Sequence, residues 1–456
     1  MAGIGFELRA LLRRRSFLGF AAGYGYAGLI GSGPWIFSIV GVMAIGALSG
    51  GFVHPTEDTQ RFLVCVTWLL ATSLVATGAL QMRFTRFVAD RVYEGQRGAV
   101  LPNLLGALTL TSLLAGAAST AAVLLLFDAP PALCVVLVAG FVVLCDTWLL
   151  VVMLSGLKAY RTVVAMFFIG YAAGALLAVA LRRFGTTGLL AGFVAGQAIL
   201  LFLLLDQVMS AWPGDEWVSF AFLRRRATPA HLGAIGLSYN LAIWIDKLLF
   251  WMSPLTGSTA FGPLRHSIIY DLPIFLAYLS TIPGMAVFLV RVETDFAECH
   301  RAFYDAIRAG ATLAELERLK DAMVHSVREG LASVVKVQGF TVLLLILAGP
   351  RLLELAGISP LYLSLLYVDL VGVAVQVLLL VVLNIHFYLD RRGDALALSL
   401  LFLFANAGLT AVTQHLGPAF YGYGFTVAVV LTALVGLISV SRALDKLEYR
   451  TFMLQG

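Results

Sequence analysis

Charge is scarce in this chain. Asp, Glu, Lys and Arg supply 12% of the 456 residues, against 60% that are hydrophobic, where a soluble globular protein is about a quarter charged. No soluble fold has use for so much apolar surface, so the composition points to a membrane protein. Cysteine is scarcer still. Cys65, Cys134, Cys145 and Cys299 stand apart without pair spacing, which argues against a disulfide framework and against zinc, and no metal site is expected. A phosphate-cradling GxxxxGK[ST] loop is missing too, since "GSGPW" at 31–35 lacks both the spacing and the lysine. Any transport must therefore draw on an ion gradient, on substrate synthesis or on partner proteins. The loops on the outer side are too short to fold into a catalytic domain and gather no set of His, Arg or carboxylates. No catalytic residue and no cofactor are expected. The basic residues are not interleaved with aromatics, so nothing suggests nucleic acid.

What the chain does have is long apolar runs. A bilayer core of about 30 Å takes roughly 20 apolar residues per helix, and runs of that kind lie near 17–49, 62–81, 101–127, 132–154, 162–181, 187–209, 231–252, 266–290, 331–349, 360–388, 395–415 and 420–441. They are continuous rather than alternating, so helices are expected and a membrane barrel is not. The resulting fold class is an all-α polytopic membrane protein, with about 12 transmembrane helices in two six-helix bundles. "RRRSFLGFAAGYGYAGLI" opens the first run at Arg13 and "RRRATPAHLGAIGLSYNLAI" opens the seventh at Arg224. That spacing suggests a duplication, with an N-terminal half over 1–209, a cytoplasmic linker over 210–230 and a C-terminal half over 231–456. Such halves are a common transporter plan, with substrate held between them. Residues 291–330 form the longest extramembrane piece, a cytoplasmic helical segment. Within it Leu313, Leu316, Met323, Val324 and Val327 recur at helical spacing among charges, which suggests an amphipathic helix for docking a partner protein or for packing under its own bundle.

Orientation follows from the 31 basic residues. Most fall in segments that lie on one side when both termini are cytoplasmic, among them Arg13–Arg15, Arg83, Arg86, Arg91, Arg224–Arg226, Arg391, Arg392 and Arg450. Arg61, Arg182, Arg183, Arg265 and Arg351 fall on the other side, and Lys247 and Lys336 lie inside runs. By the positive-inside rule both termini are expected in the cytoplasm.

The first run holds an oddity, "GYGYAGLIGSGPWIF" at 23–37. Gly23, Ala27 and Gly31 share one helix face and permit close helix approach. Pro34 clashes with the carbonyl of Ile30, so the run should bend near Gly31 and Gly33. A loosened backbone at membrane depth is tolerated only beside protein or a water-filled cavity. Close packing alone is the plainer alternative.

Span seven carries the most informative charges. "WIDKLLFW" sets Asp246 beside Lys247 near mid-membrane, where each charge costs about 2.5–3.5 kcal/mol on insertion scales. Consecutive residues lie about 100° apart on a helix, so the two are expected on different faces. Lys247 shares its face with Asn240, Trp244 and Trp251, and Asp246 shares its face with Tyr239. Indole rings beside an amide and an ammonium suit a sugar, whose C–H faces pack on aromatics while its hydroxyls need hydrogen bonds. Span eight adds Asp271 with Phe275 and Tyr278 on one face, then Pro283, a second place to bend. Tyr278 thus joins the candidate path, and Asp146, Asp246, Asp271 and Asp369 form the candidate charge network. Asn384 and Asn406 add neutral hydrogen bonding. Carboxylates of this kind can carry protons or sodium, or pair with Lys247 or Lys336 simply to fix the bundle.

The opening "MAGIGFELRALLRRRSFLGFAAGYGYAGLIGSGPWIFSIVG", "YNLAIWIDKLLFW" at 239–251 and the twelve-span plan together resemble the PelG family, inner-membrane transporters of the Pel exopolysaccharide system. That family lies in the multidrug/oligosaccharidyl-lipid/polysaccharide flippase superfamily. The resemblance implies export of a growing polymer rich in N-acetylgalactosamine, in association with a cytosolic glycosyltransferase and membrane scaffold proteins of the same system. Two other functions stay open on the residues alone. One is a cation-coupled exporter of drugs or lipid-linked oligosaccharides, and the other is a polytopic sugar polymerase or ligase.

Overall fold

The apolar runs become helices because a backbone in lipid must satisfy its own hydrogen bonds. A computed structural model describes residues 37–46, 56–154, 160–212, 214, 216–224, 229–355 and 358–453; Gly31, Gly33 and Pro34 lie outside them. Among the described residues nine stretches are long and apolar enough to cross a membrane, by length and composition. One of these, Thr162–Ala211, holds two helices separated at Arg182–Phe184. The helix Ala230–Met252 falls outside the nine because Asn240, Asp246 and Lys247 lower its hydropathy.

By contact the chain groups into two compact units, one of which is Pro34–Asp271 while the other contains Leu272–Gly456. The first holds α1 (Phe37–Gly46), α2 (Glu57–Tyr93), α3 (Val100–Leu126), α4 (Pro131–Leu154), α5 (Tyr160–Leu181), α6 (Gly185–Ala211) and α7 (Ala230–Met252). It also holds a hairpin of β1 (Ser258–Phe261) and β2 (Leu264–His266), paired antiparallel. The start of α2 is built as an N-terminus should be. The Thr56 hydroxyl accepts from the Thr59 N–H, and Glu57 and Asp58 lie in the first turn against the helix dipole. Asp58 also serves α6, since its Oδ1 accepts from the Thr186 N–H at 3.1 Å and from the Thr186 hydroxyl at 2.7 Å. One carboxylate thereby ties two helix N-termini together.

Small residues bring the helices of this unit to backbone contact. On α6, a Cβ at Gly192 would collide with the Ala178 backbone of α5, and one at Gly196 with the Gly174 backbone. On α7, a Cβ at Gly236 would collide with the Gly78 carbonyl of α2. In lipid, where apolar surface alone gives no drive to associate, such close contact supplies the dispersion that holds helices together.

The second unit opens on a helical stretch, Ile268–Arg308, that changes character along its length. It comprises α8 (Ile268–Leu279), whose first residues belong to the other unit, α9 (Thr281–Val290), a π-helical turn at Arg291–Phe296, and α10 (Ala297–Arg308). The break at Ser280 directly follows Leu279, the residue whose carbonyl Pro283 would clash with in an unbroken helix. Then come α11 (Leu313–Leu355), α12 (Leu363–Tyr388), α13 (Arg392–Leu416), α14 (Tyr423–Asp445) and α15 (Leu447–Met453). The amphipathic stripe at the start of α11 is spent inside the protein. Leu316, Met323 and Val327 are buried at 4%, 0% and 5% exposure, and Lys320 pairs with Glu448 of α15 at 3.0 Å. Of the two uses expected for this helix, packing on its own chain accounts for those three residues, while Leu313 stays exposed.

Candidate functional site

Asp246 and Lys247 meet each other. The Lys247 Nζ lies 3.1 Å from Asp246 Oδ2 and 3.2 Å from Oδ1, and it also donates to the Ile243 carbonyl at 2.9 Å. The expectation of separate faces therefore holds for the Cβ directions only. The four-carbon stem of the lysine curls back over the preceding turn, and its ammonium reaches the neighbouring carboxylate. Asp246 takes a further hydrogen bond at 2.7 Å from the hydroxyl of Tyr270 in the first turn of α8. The Tyr270 ring lies flat on Phe250, 3.9 Å between centroids. Both charges are fully enclosed, at 0% and 1% exposure, so the pair is desolvated, and its Coulomb attraction and these hydrogen bonds offset the cost of leaving water.

Indoles surround the pair. The Trp244 ring lies 5.9 Å from the Lys247 ammonium, within cation–π reach. Trp244 and Trp251 lie 6.2 Å apart, and Trp251 lies 4.9 Å from Trp68 of α2. Two of these rings are fixed by their N–H groups. Trp251 donates to Asp271 Oδ1 at 2.7 Å, and Trp68 donates to the Arg265 carbonyl at 2.7 Å. Asp271 also accepts from the Ser267 N–H at 3.0 Å. The hairpin is thus part of the site's frame, through Arg265 and through His266, whose Nε2 lies 2.9 Å from Gln60 Nε2. His266 sits beside the Ser258 hydroxyl; burial pushes its pKa below the ordinary imidazole value, and a hydrogen bond with the Ser258 backbone opposes the shift.

Of the candidates named from sequence, Trp244, Asp246, Lys247, Trp251 and Asp271 come together in this cluster. Asn240 lies nearer the start of α7 and donates to the Leu74 carbonyl of α2 at 3.0 Å, at the crossing where Gly78 and Gly236 touch. Asp146 is elsewhere in the same unit, its Oδ2 accepting from the Ser112 hydroxyl at 2.6 Å. Tyr278 and the fully buried Asp369 belong to the other unit, where Lys336 lies exposed on α11. Trp68 and Tyr270 were not among the candidates. A lone Trp in an apolar run and a Tyr at the head of another carry no signal until the helices are packed.

The second unit has its own buried acid. Glu293, 6% exposed, sits in the π-helical turn, where its carboxylate accepts from Asn384 Nδ2 at 3.0 Å and from the Tyr388 hydroxyl at 3.1 Å. Turns of that kind recur at functional sites because the extra residue re-aims side chains. Sequence pattern placed Glu293 in the extramembrane segment, and the partners that enclose it come from α12, far along the chain.

Against known proteins, the family model "PelG: Putative exopolysaccharide Exporter (EPS-E)" matches residues 1–452. The sequence finds no match among curated proteins. Among solved structures the chain is similar to an outward-facing multidrug resistance MATE family transporter of the MOP superfamily, at 14% identity and TM-score 0.62, covering 98% of this chain and 99% of that one. It is similar also to a MOP superfamily transporter from Pyrococcus furiosus, at 12% identity and TM-score 0.62 with 98% and 99% covered. A mutant of a Vibrio cholerae MATE transporter aligns at 11% identity and TM-score 0.64, with 97% and 98% covered. The fold is therefore that of the MATE transporters, an all-α polytopic bundle fold along nearly the whole chain.

Proposed function

The chain belongs to the PelG family, and from that premise we propose that it exports a growing, N-acetylgalactosamine-rich exopolysaccharide of the Pel type across a bacterial inner membrane, with both termini in the cytoplasm. The observation that carries this reading is the family match from residue 1 to 452, on a chain whose fold is that of a transporter. Polymer reaches it from a cytosolic glycosyltransferase, and membrane scaffold proteins hold the assembly together. The two six-helix halves expected from sequence, 1–209 and 231–456, rock to expose the path to either side in turn.

The cluster around Asp246 and Lys247 supports a polymer path along α7. Trp68, Trp244 and Trp251 offer faces for the apolar sides of sugar rings, while Asp246, Lys247 and Asp271 offer acceptors and a donor for hydroxyls. The enclosure of the pair means that α7 must part from its neighbours before a sugar can enter. A step of that kind is a rearrangement between discrete packings, because cores of this density do not deform continuously.

The test is secretion. Cells lacking the chain should make polymer but retain it, and restoring the chain should release it. Unchanged secretion in its absence would overturn the proposal. The fold likeness to multidrug transporters favours a second reading, cation-coupled export of small molecules. Uptake of a fluorescent cationic drug into inverted vesicles, driven by a sodium or proton gradient, would favour it over polymer export.

A further inference from the structure

The segment between α6 and α7 carries its most exposed apolar side chains where a soluble loop would carry polar ones. Trp217 is 90% exposed, with Val218, Phe220 and Leu223 at 47%, 45% and 46%. The segment is nonetheless pinned. The Ser219 N–H donates to the Pro102 carbonyl at 2.9 Å, and the Phe222 N–H donates to Asn103 Oδ1 at 3.2 Å. Phe222 itself is buried, edge-on to Phe84 at 5.6 Å. Gly106 permits this fit, since a Cβ there would collide with the Ser219 carbonyl.

These contacts set a depth. From Val100 to Gly106 the helix rises about 9 Å at 1.5 Å per residue, so the segment runs beside the first two turns of a spanning helix. Interfacial segments rest about 5–10 Å into the boundary between headgroups and acyl chains, and a segment beside the first turns of such a helix is placed to do the same. Trp is the residue most at home there, its ring apolar and its N–H wet. Charge completes the pattern. Arg224 is exposed directly after Leu223, and the sequence continues through Arg225 and Arg226, outnumbering Asp215 and Glu216 on the other side of Trp217. Basic residues beside a membrane surface are attracted by anionic lipid.

We propose that residues 216–224 form a docking surface for anionic phospholipid. Trp217, Phe220 and Leu223 seat in the interface and Arg224 meets the headgroup phosphate, so that the linker between α6 and α7 is held at the leaflet. This goes beyond the transport reading and does not depend on it.

The test uses the full chain in vesicles of phosphatidylcholine. The fluorescence that Trp217→Phe removes isolates Trp217 from the other tryptophans. That component should lose most of its intensity when the lipid is brominated at the top of its acyl chains, and should be insensitive to aqueous iodide. Quenching by iodide and not by brominated lipid would overturn the proposal and leave this face open for a soluble protein. Trp217→Tyr gives the same difference signal should the Phe variant fail to fold. Adding phosphatidylglycerol should raise the unfolding temperature, and Arg224→Gln should lose part of that rise. A rise of the same size in Arg224→Gln would overturn the headgroup contact.

Discussion

Lys247 and Asp246, consecutive on one helix, form an ion pair of 3.1 Å with side chains 1% and 0% exposed. Removing one partner of such a pair strands the other charge in a medium that cannot solvate it, at a cost of about 3–5 kcal/mol. Lys247→Met should therefore unfold far more readily than the parent protein. The double variant Lys247→Met with Asp246→Asn should recover most of the loss, because the introduced amide carries no charge and its oxygen still accepts from Tyr270. Thermal unfolding of the parent, both single variants and the double variant in detergent measures the coupling. Strictly additive losses would show that the two charges do not support each other.

The crossing of α2 and α7 rests on the absence of a side chain. Gly236→Leu should abolish accumulation of folded protein, since its Cβ alone would collide with the Gly78 carbonyl. Gly408→Ala in α13, where nothing lies within 4 Å, should instead be neutral or stabilise by about 0.5–1 kcal/mol through the gain in helix propensity. Membrane-inserted yield and unfolding temperature distinguish the two.

His266 makes the hairpin acid-sensitive. Burial disfavours its imidazolium, so the unfolded chain binds the proton more readily than the folded one. Stability is thus complete above the ordinary imidazole value of about 6.5 and declines as pH falls below it. Unfolding temperature should fall less steeply in His266→Gln than in the parent protein as the pH is lowered from about one unit above that value to about one unit below it. Equal slopes would remove His266 as the cause.

At the start of α11, Met323→Glu places a carboxylate at a position 0% exposed. Burying an unpaired charge costs several kcal/mol, so inserted protein should be largely lost. Leu313→Glu, at a position 63% exposed, should accumulate normally. Co-sedimentation of either variant with membranes reads the difference.

The helices were legible in the sequence because lipid leaves the chain no other choice. Continuous hydrophobicity maps onto spanning helix, and the described parts of the runs from 62–81 to 420–441 are helical apart from short breaks such as Ser280 and run ends such as His266, which closes β2. The contact between Asp246 and Lys247 was not legible, since helical angles fix where a Cβ points and not where a flexible ammonium ends. The roles of Tyr270 and Trp68 and the partners of Glu293 depend on packing between segments distant in sequence, beyond the reach of any local pattern. The glycine rows at Gly170 and Gly174 on α5 and at Gly188, Gly192 and Gly196 on α6 could have been read as a contact between neighbouring helices. The hairpin left only faint marks, a Gly262–Pro263 turn between runs of three or four residues, shorter than pattern can separate from loop.

Export by the double variant Lys247→Met with Asp246→Asn separates a functional cluster from a merely structural one. The measured quantity is secreted polymer divided by membrane-inserted protein. With the stranded charge removed, the variant should insert at close to the parent level while export per inserted molecule falls by about tenfold or more, equivalent to at least ~1.4 kcal/mol on the transport step. Export per inserted molecule equal to that of the parent protein would contradict the placement of Asp246 and Lys247 on the polymer's path.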